Sequence, residues 1–408
     1  MTVKLKKSSI SSYSKLTITG SKSESNRLLL LQAQFPELHI ENCSNSDDSE
    51  VMQKALNSKG ALIDIHHAGT AMRFLTAYFA SKDGSEVVLT GSARMKERPI
   101  EILVDALVEL GAEISYLETQ GCPPLKIKGK AFTKHKVALN ANVSSQYISA
   151  LLLIAPSLPN GLELTLAGKI TSIPYIEMTL SLLNDIGVTT AFESQTITIA
   201  PQNSKIAPQT LTVESDWSSA SYFYSIIAMS AVGAEIQLSA YKQTSLQGDA
   251  VLSKLYRQFG VETQFNDGNM NIKKISEAIK ETISIDLNKA PDIAQTIAVT
   301  CLGLGKSCTL TGLHTLKIKE TDRLEALKIE IEKLGGLVTT SEDRLHLEST
   351  KSLKNNVSID TYNDHRMAMA FAPLALKTDI TIADAHVVSK SYPTFWEDLK
   401  TLGFKISQ

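Results

Sequence analysis

The chain has 408 residues, a formal net charge of −2 at pH 7, 43% hydrophobic residues and 21% charged residues. These values describe an ordinary globular chain that is longer than one hydrophobic core usually supports, so two domains are expected. The near-balanced charge gives no electrostatic case for nucleic acid or a membrane surface, and any cationic site must be local.

The opening MTVKLKKSSISSYSK lacks the apolar core of a signal peptide, and the most apolar runs, such as Ile148 to Pro156, are too short to span a bilayer. A cytoplasmic protein is the expectation. Cys43, Cys122, Cys301 and Cys308 show no CxxC or His-spaced pattern, which suits a reducing compartment. His66 and His67 are adjacent, a poor metal geometry, so no metal is expected there.

From Gly20 to Leu31 the chain reads GSKSESNRLLLL, small polar residues and two cations running into a continuous apolar segment. Ser23 and Ser25 suit helix N-caps, and a helix opening beside Lys22 and Arg27 presents unpaired N–H groups to an anion. The same run also suits a surface helix with a tidy cap.

The arrangement recurs. Apolar helices opened by a small polar or acidic residue are expected near Asn26, Thr70, Ser145, Ser219, Ala294 and Arg366, about 44 and then 75, 74, 75 and 72 residues apart. Alternating strand segments, GLELTLAG, GAEIQLSA and DITIADA among them, interleave with amphipathic helices. Those helices place Ile100, Leu103, Val104 and Leu107, or Ile176, Thr179, Leu180 and Leu183, at helical spacing. Leu252, Leu255, Tyr256 and Phe259 follow the same spacing, as do Leu324, Leu327, Ile331 and Leu334. Gly111, Gly187, Gly260 and Gly335 close them, with Gly403 at the end of the last unit.

A helix apolar on every side has to sit inside, so interior helices with sheets packed outside them are expected. Six units divide into two domains of three, the first unit trimmed because Asn42 to His67 lacks room for a full set of strands. Hinges are expected at Tyr13 to Thr19 and at Val213 to Asp216. They give one lobe over 19–214 and another over 1–18 with 215–408.

Candidate residues gather where the two helix series open. The first series offers Lys22, Ser23 and Arg27; Gly69, Thr70 and Arg73; Ser144, Ser145 and Gln146; Asp216, Ser218 and Ser219; Asp292; and Asp364, His365 and Arg366. The second offers Arg94, Lys96 and Arg98; Ser172 and Tyr175; Gln247, Gly248 and Asp249; Lys317, Lys319, Glu320 and Arg323; and Lys390. Cations dominate the combined list, as suits a substrate carrying several negative charges. Blander readings stand beside these: Asp292 after Pro291 as a plain N-cap, Glu320, Asp322 and Arg323 as a charged first turn, and Asp364 as a cap. His365 reads rather as a core or supporting residue than a catalytic one, and Asp47 and Asp48 rather as a structural helix opening.

The motifs GSKSESNR, HAGTAMRF, LTGSARMKERPI, VSSQYISALL, SIPYIEMTL, SDWSSASYF, LQGD, PDIAQT, LKIKETDRL, TYNDHRMAMAF and SKSYPTF stand in this order. Together they closely resemble those of the 5-enolpyruvylshikimate-3-phosphate synthase family, the 3-phosphoshikimate 1-carboxyvinyltransferases, from Lys15 to Leu399. The resemblance implies an inside-out α/β barrel of two domains, each of three βαβαββ repeats, closing on substrate. It implies transfer of the enolpyruvyl group of phosphoenolpyruvate to the 5-hydroxyl of shikimate 3-phosphate in the shikimate pathway, with no cofactor. A monomer with those two small-molecule partners is expected.

By resemblance, Lys22, Ser23, Arg27, Ser144, Ser145, Gln146, Ser172, Tyr175, Asp292 and Lys319 would hold shikimate 3-phosphate. Lys22, Gly69, Arg94, Gln146, Arg323, Arg366 and Lys390 would hold phosphoenolpyruvate. Asp292 matches the proton acceptor for the attacking hydroxyl, and Glu320 and Lys22 the groups that move protons at the methylene carbon and leaving phosphate. Such chemistry needs paired carboxylates with a lysine, because addition and elimination run the protons in opposite directions. Domain closure would exclude water.

His67, Phe74, Thr315 and Leu316 depart from residues common in the family, and Thr315 puts one substrate hydrogen bond in question. Gly69 leaves space near the phosphoenolpyruvate phosphate, from which competition by glyphosate is expected. Two other functions fit parts of the pattern: an enolpyruvyl transferase acting on UDP-N-acetylglucosamine, and a catalytically silent anion-binding protein. The first usually carries a cysteine before its arginine-proline pair, and Gly91 to Pro99 contains none.

Overall fold

A computed structural model describes residues 1–140, 144–168, 170 and 173–408. The chain forms two compact units, Gly20–Val213 and Met1–Thr19 with Glu214–Gln408.

Within Gly20–Val213, the helices Lys22–Gln34, Gly69–Ser81 and Ser145–Ile154 pack on one another as the interior. Leu28 to Leu31 are all buried, as are Phe74, Leu75 and Ile148 to Ile154, so these helices shed water on every side. In the other unit Trp217–Met229, Ala294–Gly303 and His365–Phe371 take the same place. Trp217, Tyr222, Phe223 and Phe371 fill that core.

Sheets wall both interiors. Five of the six described sheets have four strands with one pairing scheme, a parallel pair followed by two antiparallel pairs. In one, Leu62–Asp64 runs parallel to Glu86–Thr90, which pairs antiparallel with Leu125–Lys128, which pairs antiparallel with Glu113–Tyr116. The sixth sheet has two parallel strands, Leu38–Glu41 and Gln209–Thr212, as a trimmed first repeat requires. The N-terminal strand Val3–Lys6 lies between Ile380–Ile382 and Lys405–Ser407, and Tyr13–Leu16 pairs parallel with Glu235–Ser239. Inward residues alternate as expected: Leu162, Leu164, Leu166, Ile236, Leu238, Ile380 and Ile382 are all buried.

The glycine stops hold. Gly111, Gly187, Gly260, Gly335 and Gly403 all have positive φ. At Gly260 the requirement is double, since φ is +72° and an added Cβ would sit 1.9 Å from the Ser276 carbonyl oxygen.

Two local expectations are corrected. The first interior helix begins at Lys22, not near Asn26, and neither Ser23 nor Ser25 caps it. Ser21 keeps the extended backbone, with φ −56° and ψ 128°, and takes the cap position, so Ser23 and Ser25 lie inside the helix. The Ser25 hydroxyl instead accepts the Ser44 N–H at 2.8 Å. The stretch Leu252 to Phe259, read as one amphipathic helix, is a single α-turn, Leu252–Leu255, tightening into the 3₁₀ turn Tyr256–Phe259.

Candidate active site

Several candidate groups of each unit stand at the openings of its interior helices. In Gly20–Val213, Arg27 is buried, and its guanidinium donates to Thr179 Oγ1 (2.8 Å), Ser149 Oγ (2.9 Å) and the carbonyls of Ser23 (2.8 Å) and Tyr175 (3.3 Å). The rings of Phe74 and Tyr175 flank it at 5.5 and 5.7 Å. Burial pulls the Arg27 pKa down to about 10, against the opposing pull of Tyr175 and Glu24.

Lys22 pairs with Asp48 at 3.3 Å, and His67 Nε2 stands 3.8 Å from the same carboxylate. Asp48, expected to be only a helix opening, is thus the counter-ion of a candidate catalytic lysine. The Gln146 amide donates to Thr70 Oγ1 at 3.2 Å, joining the openings of two helices, while Ser144 caps the helix that begins with the buried Ser145. Gly69 lies under Arg98, whose Nη1 would be 2.6 Å from an added Cβ. Arg73 donates to the carbonyls of Gly69 (3.1 Å) and Pro99 (3.2 Å). Arg94 stands on the surface, paired with Glu97 at 2.8 Å. Ser172 lies outside the described residues.

In the other unit Asp292, Lys319, Glu320, Arg323, Asp364 and Arg366 form one ionic network. Arg323, 2% exposed, opens the helix Arg323–Lys333 but turns inward. Its Nε donates to Asp364 Oδ2 (2.6 Å), Nη1 to Asp292 Oδ1 (2.9 Å) and Nη2 to Glu320 Oε2 (2.6 Å). Burial works against its charge, but Asp364, Glu320 and Asp292 outweigh that penalty and raise its pKa above the ordinary arginine value. Cap duty falls to its neighbour Asp322, which accepts the N–H groups of Leu324 and Glu325.

Asp292 sits in the short turn Pro291–Ile293 and does not cap the helix that follows. Its carboxylate also meets Arg366 at 3.4 Å and Lys319 at 3.6 Å, and its carbonyl accepts Arg366 Nη1 at 3.0 Å. Asp364 is a cap as well as an ion partner, accepting the Arg366 N–H at 2.9 Å. His365 is buried beside it. Lys390 donates to the Asn363 carbonyl at 2.6 Å. Of the departures, Leu316 is core, and Thr315 Oγ1 is buried with no hydrogen-bond partner among the described residues.

Asp249 extends the network: it accepts from Ser218 Oγ at 2.5 Å, and Ser218 Oγ accepts from Arg366 at 3.2 Å. Burial pushes the Asp249 pKa up to about 6, although Arg366 pulls the other way. The folded state therefore holds this proton to higher pH than the unfolded chain, where an aspartate titrates near about 3.9. The stability it contributes is complete below that value and lost as pH rises through about 6. Asp249→Asn is expected to gain about 2 kcal/mol on the wild type between pH 4 and pH 7. Urea midpoints at the two pH values measure it; an unchanged difference would place the proton elsewhere.

Among the described residues no group of three or more His, Cys, Asp or Glu could hold a metal ion, and no helix is long and apolar enough to cross a membrane. Two α/β units carry guanidinium, ammonium and hydroxyl groups, with carboxylates among them in the second, near the openings of their interior helices, a chemistry that suits small polyanions. The sequence model of EPSP synthase (3-phosphoshikimate 1-carboxyvinyltransferase) matches residues 53–399. The chain is 46% identical over 396 residues to the 3-phosphoshikimate 1-carboxyvinyltransferase of Bacteroides fragilis, covering 96% of this chain and 95% of that one. It is 34% identical over 424 residues to that of Mannheimia haemolytica, covering 96% of each. Its fold is that of EPSP synthase from Acinetobacter baumannii, with a TM-score of 0.81 at 21% identity over the whole of both chains. The enolpyruvyl transferase NikO from Streptomyces tendae has a TM-score of 0.73 at 14% identity, over 100% of this chain and 98% of that one. The chain belongs to the EPSP synthase family.

Proposed function

We propose that this chain transfers the enolpyruvyl group of phosphoenolpyruvate to the 5-hydroxyl of shikimate 3-phosphate, releasing phosphate through a tetrahedral addition-elimination intermediate. The observation that carries the reading is the Arg323 network, which holds Asp292 and Glu320, two carboxylates suited to opposite proton transfers, around one guanidinium.

In this reading Asp292 accepts the hydroxyl proton, while Glu320 and Lys22 move protons at the methylene carbon and the leaving phosphate. Lys22, Gly69, Arg94, Gln146, Arg323, Arg366 and Lys390 are the residues proposed for phosphoenolpyruvate. Arg323 already gives donors from Nε, Nη1 and Nη2 to Asp364, Asp292 and Glu320, so beside a contact with phosphoenolpyruvate its part is to orient the carboxylates and offset developing negative charge. Ser23, Arg27, Ser144, Ser145, Ser172, Tyr175, Lys319, Lys22, Gln146 and Asp292 are those proposed for shikimate 3-phosphate. Arg27, stacked and bonded within its own unit, supplies a fixed positive charge. A monomer working in the cytoplasm completes the reading.

A phosphate-release assay tests it. Release with phosphoenolpyruvate and shikimate 3-phosphate is expected, and none with UDP-N-acetylglucosamine. The opposite preference would favour the sugar-nucleotide reading, and release with neither a silent binding protein.

Glyphosate is expected to compete with phosphoenolpyruvate. Gly69→Ala would drive a methyl group into Arg98 Nη1 and force that guanidinium to move. The variant is expected to show a KM for phosphoenolpyruvate raised about tenfold and a weakened glyphosate inhibition, about one displaced charge-assisted contact. Initial rates at varied inhibitor measure both; unchanged constants would place the loop away from the ligand.

A further inference from the structure

Tyr362 and Asn363 are the one consecutive pair of non-glycine residues with positive φ among the described residues, at +53° and +57°. A tyrosine is rarely found in this left-handed conformation, and such positions persist only where their surroundings hold them. Here the holding group is visible. The Tyr362 hydroxyl donates to Glu330 Oε1 at 2.7 Å, and Glu330 has no exposure to solvent. Lys333 ties the same oxygen (2.8 Å) to Asp360 (2.7 Å), which precedes the turn. The turn closes through the Asp364 N–H on the Thr361 carbonyl at 2.8 Å.

The left-handed pair sets the direction of the Asn363 carbonyl, and that carbonyl accepts the Lys390 ammonium at 2.6 Å. We infer that Tyr362 and Glu330 are positioning residues for Lys390: the anchored hydroxyl holds the strained turn, and the turned-out Asn363 carbonyl fixes the ammonium. A carbonyl suits that duty, because it accepts a hydrogen bond from the ammonium and itself carries no countercharge. The step from Lys390 to phosphoenolpyruvate rests on the function proposed above; the clamp itself does not.

Two measurements test it. In the first, Tyr362→Phe removes only the hydroxyl, and KM for phosphoenolpyruvate is expected to rise about fivefold, with KM for shikimate 3-phosphate changed less than about twofold. In a Lys390→Gln background the same substitution is expected to add less than about twofold, since the group it positions is already gone. Equal multiplication in both backgrounds would overturn the inference, as would a fall in melting temperature with both KM values unchanged. The second measurement needs no activity. Site-resolved acylation of lysines by mass spectrometry is expected to label Lys390 several-fold faster in Tyr362→Phe, with exposed Lys54 unchanged. A wild type that releases no phosphate would end the functional reading alone, and equal Lys390 labelling in both proteins would end the clamp.

Discussion

Asp292→Asn is expected to lower turnover by about 10²- to 10⁴-fold, the usual contribution of a positioned proton acceptor. Asparagine keeps the shape and one acceptor oxygen, so Arg323 retains a partner at this position and keeps Glu320 and Asp364 as well. Arg366 also retains the Asp292 carbonyl and Ser218. The scaffold therefore survives while the basic oxygen is lost. Binding of shikimate 3-phosphate, measured by calorimetry, is expected to stay within about threefold, and kcat and kcat/KM for phosphoenolpyruvate to fall together, as they do when an interaction made only in the transition state is removed. A variant turning over near the wild-type rate would take the proton-acceptor role away from Asp292.

Much of the fold was legible because two periodicities coincide. Apolar residues in unbroken runs, as at Leu28 to Leu31, cannot face water, and a 75-residue recurrence of such runs forces the same interior solution several times. Glycines at the helix ends were readable for a comparably local reason. What failed was also local. Ser23 and Ser25 have cap chemistry, but a cap needs an extended backbone, and here the last extended residue before the helix is Ser21. Tyr256 to Phe259 keep the spacing of a helix yet tighten into a 3₁₀ turn, which pattern alone does not distinguish.

The candidate site was legible as a set of residues and not as a set of partners. Charge type and place at a helix opening single out Asp292, Glu320, Arg323 and Arg366, but not that one guanidinium holds three carboxylates. Asp48 reads as structural in the sequence because its neighbours there are ordinary helix-opening residues; its ion pair with Lys22 crosses between two helices. Glu330 carries a sequence signal of its own. It falls in the apolar stripe of Leu324, Leu327, Ile331 and Leu334, where a buried carboxylate needs a partner, and it has one in Tyr362. Thr179 left the same signal, and its hydroxyl accepts Arg27 Nε.

Arg323→Met is expected to destabilise the unit formed by Met1–Thr19 and Glu214–Gln408 by about 3–5 kcal/mol, read as a lowered denaturant midpoint. The cost comes from what remains. Asp364 has no solvent exposure and would lose the Nε donor 2.6 Å away, and Asp292 would lose its nearest cation. Arg323→Lys is expected to fall between, because a single ammonium cannot reproduce a planar fork that serves Asp364, Asp292 and Glu320 in three directions. Adding Asp364→Asn to Arg323→Met should restore about half of the loss, since asparagine still caps the His365–Phe371 helix and removes the buried charge at that position, while Asp292 and Glu320 stay without the guanidinium. Strict additivity of the two substitutions would mean that Arg323 and Asp364 act independently. A midpoint for Arg323→Met equal to that of the wild type would mean that the three carboxylates are stable without it, and the network would then be a consequence of the fold and not one of its supports.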